Sequence, residues 1–501
     1  MLLVLIFNFI VVATLVRVAT RKGLEEALPY FAFFVILAPE ETQLKLEGLF
    51  DLNTQRIALI TLFVLYMALR ERAKPIGVPL KHLMLVSVGW FVISSASSLL
   101  VTTSMKQFVA QAVQYYLSYY VFVRVISKVS TLERIAFAMV VAIGVCCIFG
   151  LAEAYFKWSV LTLFPEQAYE YFEGAGSLYA EMGDRGIRVR SVFPHPILFG
   201  DAIAVVVPLA MYLVGICKNA FEKKVLWAAI VLMFWNVYKT SSRGPWVAVC
   251  GSLVLLAVLL QNKTRKHILV IAALALSVLI IRPGVWETIF NVYSASVDSA
   301  TPMGQSYEYR YAVWHSVMQA ATKDAGRAMW GHGLGTFRKL GLDVEIPGAP
   351  ELSHRWYTCD NNWALFLYEI GFVGLLIMVL LLSRPVIVAI RDYREFARPD
   401  RYLSGVLFVC LLGFCFLMSS VAAYAWGQPG YMLWVVIAMT MSYSQLKRQE
   451  YKQRQLTQVA PSDAAADGML RDEVVTRRDW FLTSDPAQDD SRERVARTSI
   501  A

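Results

Sequence analysis

The feature that most limits what this chain can fold into is a succession of apolar runs separated by polar connections. The runs lie at about 2–16, 28–38, 57–69, 81–101, 108–123, 135–155, 196–214, 225–240, 244–260, 268–281, 362–382, 403–421 and 430–446. A backbone inside a bilayer finds no water for its N–H and C=O groups, so segments of this kind cross as helices. Several runs fall short of the roughly 20 residues that a span requires, and 28–38 and 57–69 extend into their flanks to do so. The expectation is an all-α polytopic membrane protein with 12 or 13 transmembrane helices. Composition agrees, with 57% hydrophobic and 17% charged residues, against roughly 45–50% and about 25% in soluble domains.

The formal charge of +9 then has a membrane explanation and needs no nucleic acid. Arg17, Arg21 and Lys22 form one basic cluster, Arg70, Arg72, Lys74 and Lys81 the next, then Arg124, Lys128 and Arg134. Lys218, Lys223 and Lys224 follow, then Lys263, Arg265 and Lys266, the arginines from Arg384 to Arg401, and Lys447 with Arg448. Every second connection is basic, which places these connections in the cytoplasm. The alternating ones (39–56, 156–195, Ser241–Arg243 and 282–361) face outward. No charge precedes the first apolar run, so the first helix is expected to stay as a span with its N-terminus outside rather than to act as a cleaved signal. Three regions result: N-terminal transmembrane helices over 1–156, a core over 157–446 that contains the long outward loop 282–361, and a polar tail over 447–501. The tail is expected to be a disordered cytoplasmic extension with short helices near 447–458 and 469–482.

The long loop is where chemistry is expected, since a connection of that length is uncommon and usually functional. Outward arginines stand out because the topology rule does not call for them. Asp184–Arg190, with Arg185, Arg188 and Arg190, precedes Ser191-Val192-Phe193-Pro194-His195-Pro196; Arg243 sits in a tight turn before Gly244-Pro245; Arg310, Arg327, Arg338 and Arg355 lie in the loop. Guanidinium groups make forked, charge-assisted bonds to phosphate oxygens, so the cluster suits a lipid-linked phosphate or pyrophosphate; headgroup contact is the plainer reading for any single arginine.

Carboxylates gather near the same helix ends: Asp360, Glu369, Asp201 and Glu153. Ionisable groups at membrane depth face a cavity or a partner, and a carboxylate there can accept a proton from a sugar hydroxyl. Asp360 equally suits the N-cap of the next helix. His354, six residues earlier, is placed to share its pocket; His195 opens a helix beside the Arg185–Arg190 group; His332 lies in the glycine-rich turn Gly331-His332-Gly333-Leu334-Gly335. Trp314, Trp330, Trp356 and Tyr357 could stack on sugar faces or pack the loop. Six of the seven cysteines sit in or beside apolar runs as small hydrophobes, and Cys359 is alone in the loop. No CxxC, HExxH, Walker or GxSxG pattern occurs, so neither metal nor nucleotide cofactor is expected.

Four blocks in order resemble the O-antigen ligase and polymerase family of bacterial envelope glycosyltransferases. They are Arg190–Pro196, Ser241–Gly244, Arg310 with Trp314 running on to Gly331–Phe337, and Asp360-Asn361 followed by Glu369–Gly374. The resemblance implies about a dozen transmembrane helices and a periplasmic loop folded over a cavity that opens to the outer leaflet of the inner membrane. It implies transfer of a glycan from an undecaprenyl pyrophosphate carrier to an acceptor sugar hydroxyl, without metal or nucleotide. By motif position Arg243 and Arg310 match the family's pyrophosphate-binding arginines, with Arg190 as a third and Arg188, His195 and Glu369 as further candidates. Ligases of the family carry His before the Asn where this chain has Asp360, so Asp360 or His354 is expected to be the base. That departure favours a polymerase of exopolysaccharide or O-antigen over a ligase to lipid A-core; envelope-polysaccharide assembly proteins are the expected partners. A transporter of lipid-linked saccharide is the competing class, but such proteins place sites near the midplane between repeats. This chain shows no repeat, and its outward charges gather at one face.

Overall fold

The computed structural model describes residues 2–40, 42–44, 52–69, 77–164, 188–260, 264–270, 272–273, 290–291, 293–294, 298, 302–346 and 353–478. Arg185, most of the apolar run 268–281 and most of 282–301 lie outside the described residues. Every other apolar run is helical: α1 (Leu2–Lys22), α2 (Ala27–Leu37), α3 (Thr54–Leu69), α4 (Lys81–Ala96), α5 (Val101–Gln111), α6 (Ser118–Val125), α7 (Val129–Phe156), α8 (Pro196–Ile216), α9 (Ala220–Lys239) and α10 (Arg243–Leu259). A two-residue hairpin of β1 (Gln43–Leu44) and β2 (Leu52–Asn53) precedes α3, and a π-helical turn, Ala112–Leu117, joins α5 to α6. After the long connection come α14 (Asn362–Glu395), α15 (Arg401–Leu417) and α16 (Gly427–Arg478). The helices α1, α7, α8 and α14 are each long and apolar enough to cross a membrane, and α3, α4, α10 and α15 are shorter apolar helices. The chain is an all-α polytopic membrane protein. Its centre is α8, buried along nearly its whole length between α7, α9, α10 and α15. Apart from Asp201 its side chains are apolar on every face, as suits a helix at the centre of a bundle.

The long connection is more structured than a polar loop. It forms α11 (Pro302–Thr322), α12 (Ala325–Trp330), α13 (Thr336–Leu340) and an antiparallel hairpin of β3 (Leu342–Val344) and β4 (His354–Trp356). Tyr309, Val313 and Val317 recur on one face of α11 and pack with Phe337, Val344 and Leu367 into a core of their own. Each such side chain removed from water contributes roughly 1.5–3 kcal/mol, which is why this segment folds as a cap on the start of α14. Tyr309 and Trp356 meet at 4.3 Å between ring centroids, so Trp356 belongs to the cap core.

The cap docks on α14 through a break in that helix. At Gly371 the backbone turns to φ 69°, and a Cβ there would lie 2.2 Å from the Met329 carbonyl oxygen. Gly331 (φ 76°) faces it, its absent Cβ 2.4 Å from the Glu369 carbonyl oxygen. The break frees three carbonyls, and each finds a donor. His332 N–H gives to Tyr368 O at 3.0 Å, Gly333 N–H and Ser94 Oγ to Glu369 O at 2.8 and 2.9 Å, and Trp90 Nε1 to Ile370 O at 2.9 Å. Two glycines thus let backbone meet backbone, which a side chain at either position would prevent.

Met1–Leu446 forms one compact unit and Lys447–Ala501 another. In the second, 447–478 is helical, where composition suggests a disordered extension with two short helices. Glu450 pairs with Lys447 (2.9 Å) and with Arg454 at helical spacing, a local support that bulk composition does not register.

Candidate functional site

Three successive residues at the start of α14 divide the work there. Asn361 is the N-cap, its Oδ1 accepting from Trp363 N at 2.9 Å and Ala364 N at 3.1 Å. Asn362 is buried and tied to the segment after α15: its N–H gives to Met418 O at 2.8 Å and its Oδ1 accepts from Tyr424 N at 2.7 Å. Asp360 therefore has no capping duty. Its Oδ2 lies 3.5 Å from Arg310 Nη2, with 33% of the Asp360 side chain and 27% of the Arg310 side chain exposed. Burial raises the Asp360 carboxyl above its ordinary value, and the guanidinium offsets this only in part.

A second group of cations comes from the turn before α8. Arg188 is held by the α9–α10 connection, Nε giving to Thr240 O at 3.0 Å and Nη2 to Ser242 Oγ at 2.8 Å. The backbone N–H groups of Arg190 and Ser191 both give to Glu153 Oε2 at 2.8 Å, and Ser191 adopts φ 56°. His195 caps α8, its Nδ1 accepting from Ile197 N at 3.2 Å. Burial and the charges of Arg188, Arg190 and Arg310 push its imidazole down to about 3. With Nδ1 accepting, the ring is neutral and carries its proton on Nε2, a donor within a field of guanidinium groups.

Arg243 begins α10 directly after Ser242, the residue that Arg188 holds. Gly244 abuts Ser420 closely enough that a Cβ would come 3.0 Å from Ser420 Oγ. The 418–424 segment thus touches both the start of α10, with Arg243, and the start of α14, beside Asp360. The arrangement sets Arg310 against a carboxylate of raised proton affinity at the start of α14, and Arg310, Arg188 and Arg190 all act electrostatically on His195. Chemically it can hold an anion of more than one charge and take a proton next to it.

Residues 228–379, from within α9 to within α14, match the family model described as O-antigen ligase. Over that stretch the chain is similar to the O-antigen ligase family. No curated protein matches it. The part of the chain that matches the O-antigen ligase model contains Arg243, Arg310, Asp360 and Glu369; the turn with Arg188, Arg190 and His195 lies before it.

Other candidates within the O-antigen ligase match are placed differently. The Glu369 carboxylate faces the backbone N–H groups of Gly335 and Phe337, which makes it a clasp on the glycine-rich turn. His332 stacks flat on Tyr368 at 4.2 Å and 8°, anchoring the same turn. His354 is exposed on β4, stacked on Trp356 at 4.5 Å, and the structure does not bring it into hydrogen-bond contact with Asp360. Arg327 gives to Ser97 O at 2.9 Å and Gly331 O at 3.2 Å, and Arg355 pairs with Asp343 across the hairpin at 2.8 Å; both hold the cap. Among the described residues no group of three or more His, Cys, Asp or Glu is placed to hold a metal ion. Two supporting residues, Asn362 and Gln428, do not emerge from sequence reasoning. The Gln428 Nε2 gives to Ile36 O and Ala38 O at 2.9 Å and reaches Val192 O at 3.5 Å, tying the arginine turn to α2. A buried amide in an apolar stretch is the signal that could have marked Gln428.

Proposed function

We propose that this protein is an envelope polysaccharide polymerase that extends glycans at the periplasmic face of the bacterial inner membrane. Its donor is a saccharide linked to undecaprenyl pyrophosphate, and its acceptor is a hydroxyl on another sugar. Arg243 and Arg310, with Arg190 and Arg188 beside them, hold the pyrophosphate oxygens. Asp360 is the base. The acceptor oxygen forms a bond to the anomeric carbon as the bond from that carbon to the pyrophosphate oxygen breaks. The acceptor proton passes to Asp360 and undecaprenyl pyrophosphate leaves, with inversion at the anomeric carbon. Charge growing on the leaving group meets guanidinium groups already in place, which is usually the largest single catalytic term.

The observation that carries this reading is the 3.5 Å pair of Arg310 and Asp360. One partner suits a pyrophosphate and the other suits a proton, so donor binding that draws Arg310 to phosphate also loosens its hold on the base. His354, on its own strand, then supports the hairpin. A ligase to lipid A-core is the second reading, favoured by the description of the matching family; Asp360 in place of the ligase histidine favours the polymerase. The two separate by product. Purified protein given an undecaprenyl pyrophosphate-linked repeat unit should form a ladder without added acceptor, whereas transfer only onto lipid A-core would make it a ligase.

A further inference from the structure

Glu153 lies near the end of α7, 1% exposed, the one charged residue in the otherwise apolar stretch from Ile135 to Phe156. Its partners all come from the arginine turn. One oxygen, Oε2, accepts both the Arg190 and the Ser191 backbone N–H groups at 2.8 Å. The other, Oε1, lies 3.9 Å from Arg190 Nε. Ser191 in turn gives its hydroxyl to Cys146 O on the same helix at 2.7 Å and holds a left-handed φ of 56°. A non-glycine residue in that region costs free energy and persists only where its surroundings over-determine it. Here the two N–H groups bound by one carboxylate oxygen do so.

We propose that Glu153 is a positioning residue for the pyrophosphate site, with two separable duties. Through Oε2 it fixes the backbone of the Arg188–Ser191 turn, and so the place of both guanidinium groups. Through Oε1 it balances the charge of Arg190, which weakens the hold on pyrophosphate and lets the leaving group depart after each transfer. This rests on the donor reading given above. Charges a few ångströms apart in a site of reduced dielectric interact strongly, so the second duty is measurable.

Glutamine separates the two duties, because its amide oxygen can replace Oε2 while its NH2 group brings no negative charge to Arg190. The test is calorimetric binding of inorganic pyrophosphate to the full chain in nanodiscs, with KM for the lipid-linked donor and kcat measured alongside. Glu153→Gln should bind pyrophosphate on the order of tenfold more tightly, with KM and kcat falling together as product release slows. Glu153→Ala should lose binding and raise KM. Wild-type affinity in Glu153→Gln would overturn the charge-balancing duty, and an alanine variant that behaves as the glutamine one would overturn the positioning duty. If the alanine variant does not fold, the glutamine variant still decides. Failure of the unaltered protein to bind pyrophosphate would instead strike the donor reading itself.

Discussion

Arg310 of the cap and Asp360 at the threshold of α14 stand fifty residues apart in sequence and 3.5 Å apart in space. The cap core holds one and the Asn361 cap frees the other, so their meeting is a product of the fold on both sides.

The pair fixes a pH dependence. Burial raises the Asp360 carboxyl above its ordinary 3.8 and Arg310 pulls it back. A base must be ionised to act, so the acid limb of the rate profile should lie above the ordinary aspartate value. Replacing Arg310 by Gln should move that limb to still higher pH, in the turnover that remains. The folded chain also binds this proton more tightly than the unfolded one, so this group's contribution to stability falls as pH rises from 3.8 through the raised value. The profiles of both proteins check this; a limb that moves down in Arg310→Gln would contradict it.

The two residues before α14 should respond oppositely to substitution. Asn361→Ala removes two hydrogen bonds to free helix N–H groups and should cost about 1 kcal/mol, seen as a lower Tm. Asp360→Asn leaves the cap intact and should leave Tm nearly unchanged. Thermal melts in detergent distinguish them, and a larger loss in Asp360→Asn would return Asp360 to a structural role.

The glycine joint predicts a third effect. Gly371→Ala places a methyl 2.2 Å from the Met329 carbonyl oxygen at φ 69°, and the backbone conformation alone costs roughly 1–3 kcal/mol. The cap should loosen from α14. Proteolysis within 302–346 should quicken and activity should fall. An alanine at Gly251 of α10, where nothing lies within 4 Å, should leave the cap protected.

His195 gives a stability signal of its own. Its imidazole falls from 6.5 to about 3 on folding, so the unfolded chain binds more protons between those values. Its contribution is complete above pH 6.5 and is lost as pH falls towards 3. His195→Asn keeps a capping side chain and removes the titration, so its Tm should fall less steeply on acidification. A parallel decline in both proteins would contradict the neutral imidazole.

Much of this is legible in the sequence, and the rest is hidden for definite reasons. Apolar runs show spans directly, because a bilayer leaves the backbone no alternative. Arg243, Arg310 and Asp360 are visible as residue types in connections between apolar runs. That Arg310 faces Asp360 is not, since nothing local links positions fifty apart. Asp360 and Asn361 are both good caps, and only geometry assigns the cap to Asn361. The cap core is concealed because Tyr309, Val313 and Val317 are interleaved with Arg310, Trp314 and His315, so short helices read as a polar loop. Glu153 is visible as a carboxylate at a helix end, but its partners begin 37 residues further on.

One experiment bears on the whole scheme: turnover of a defined undecaprenyl pyrophosphate-linked repeat unit by the purified protein, compared with Arg310→Ala and Asp360→Asn at matched Tm. Each variant should fold normally and lose about a hundredfold or more in rate. Wild-type turnover in Asp360→Asn would show that Asp360 is not the base.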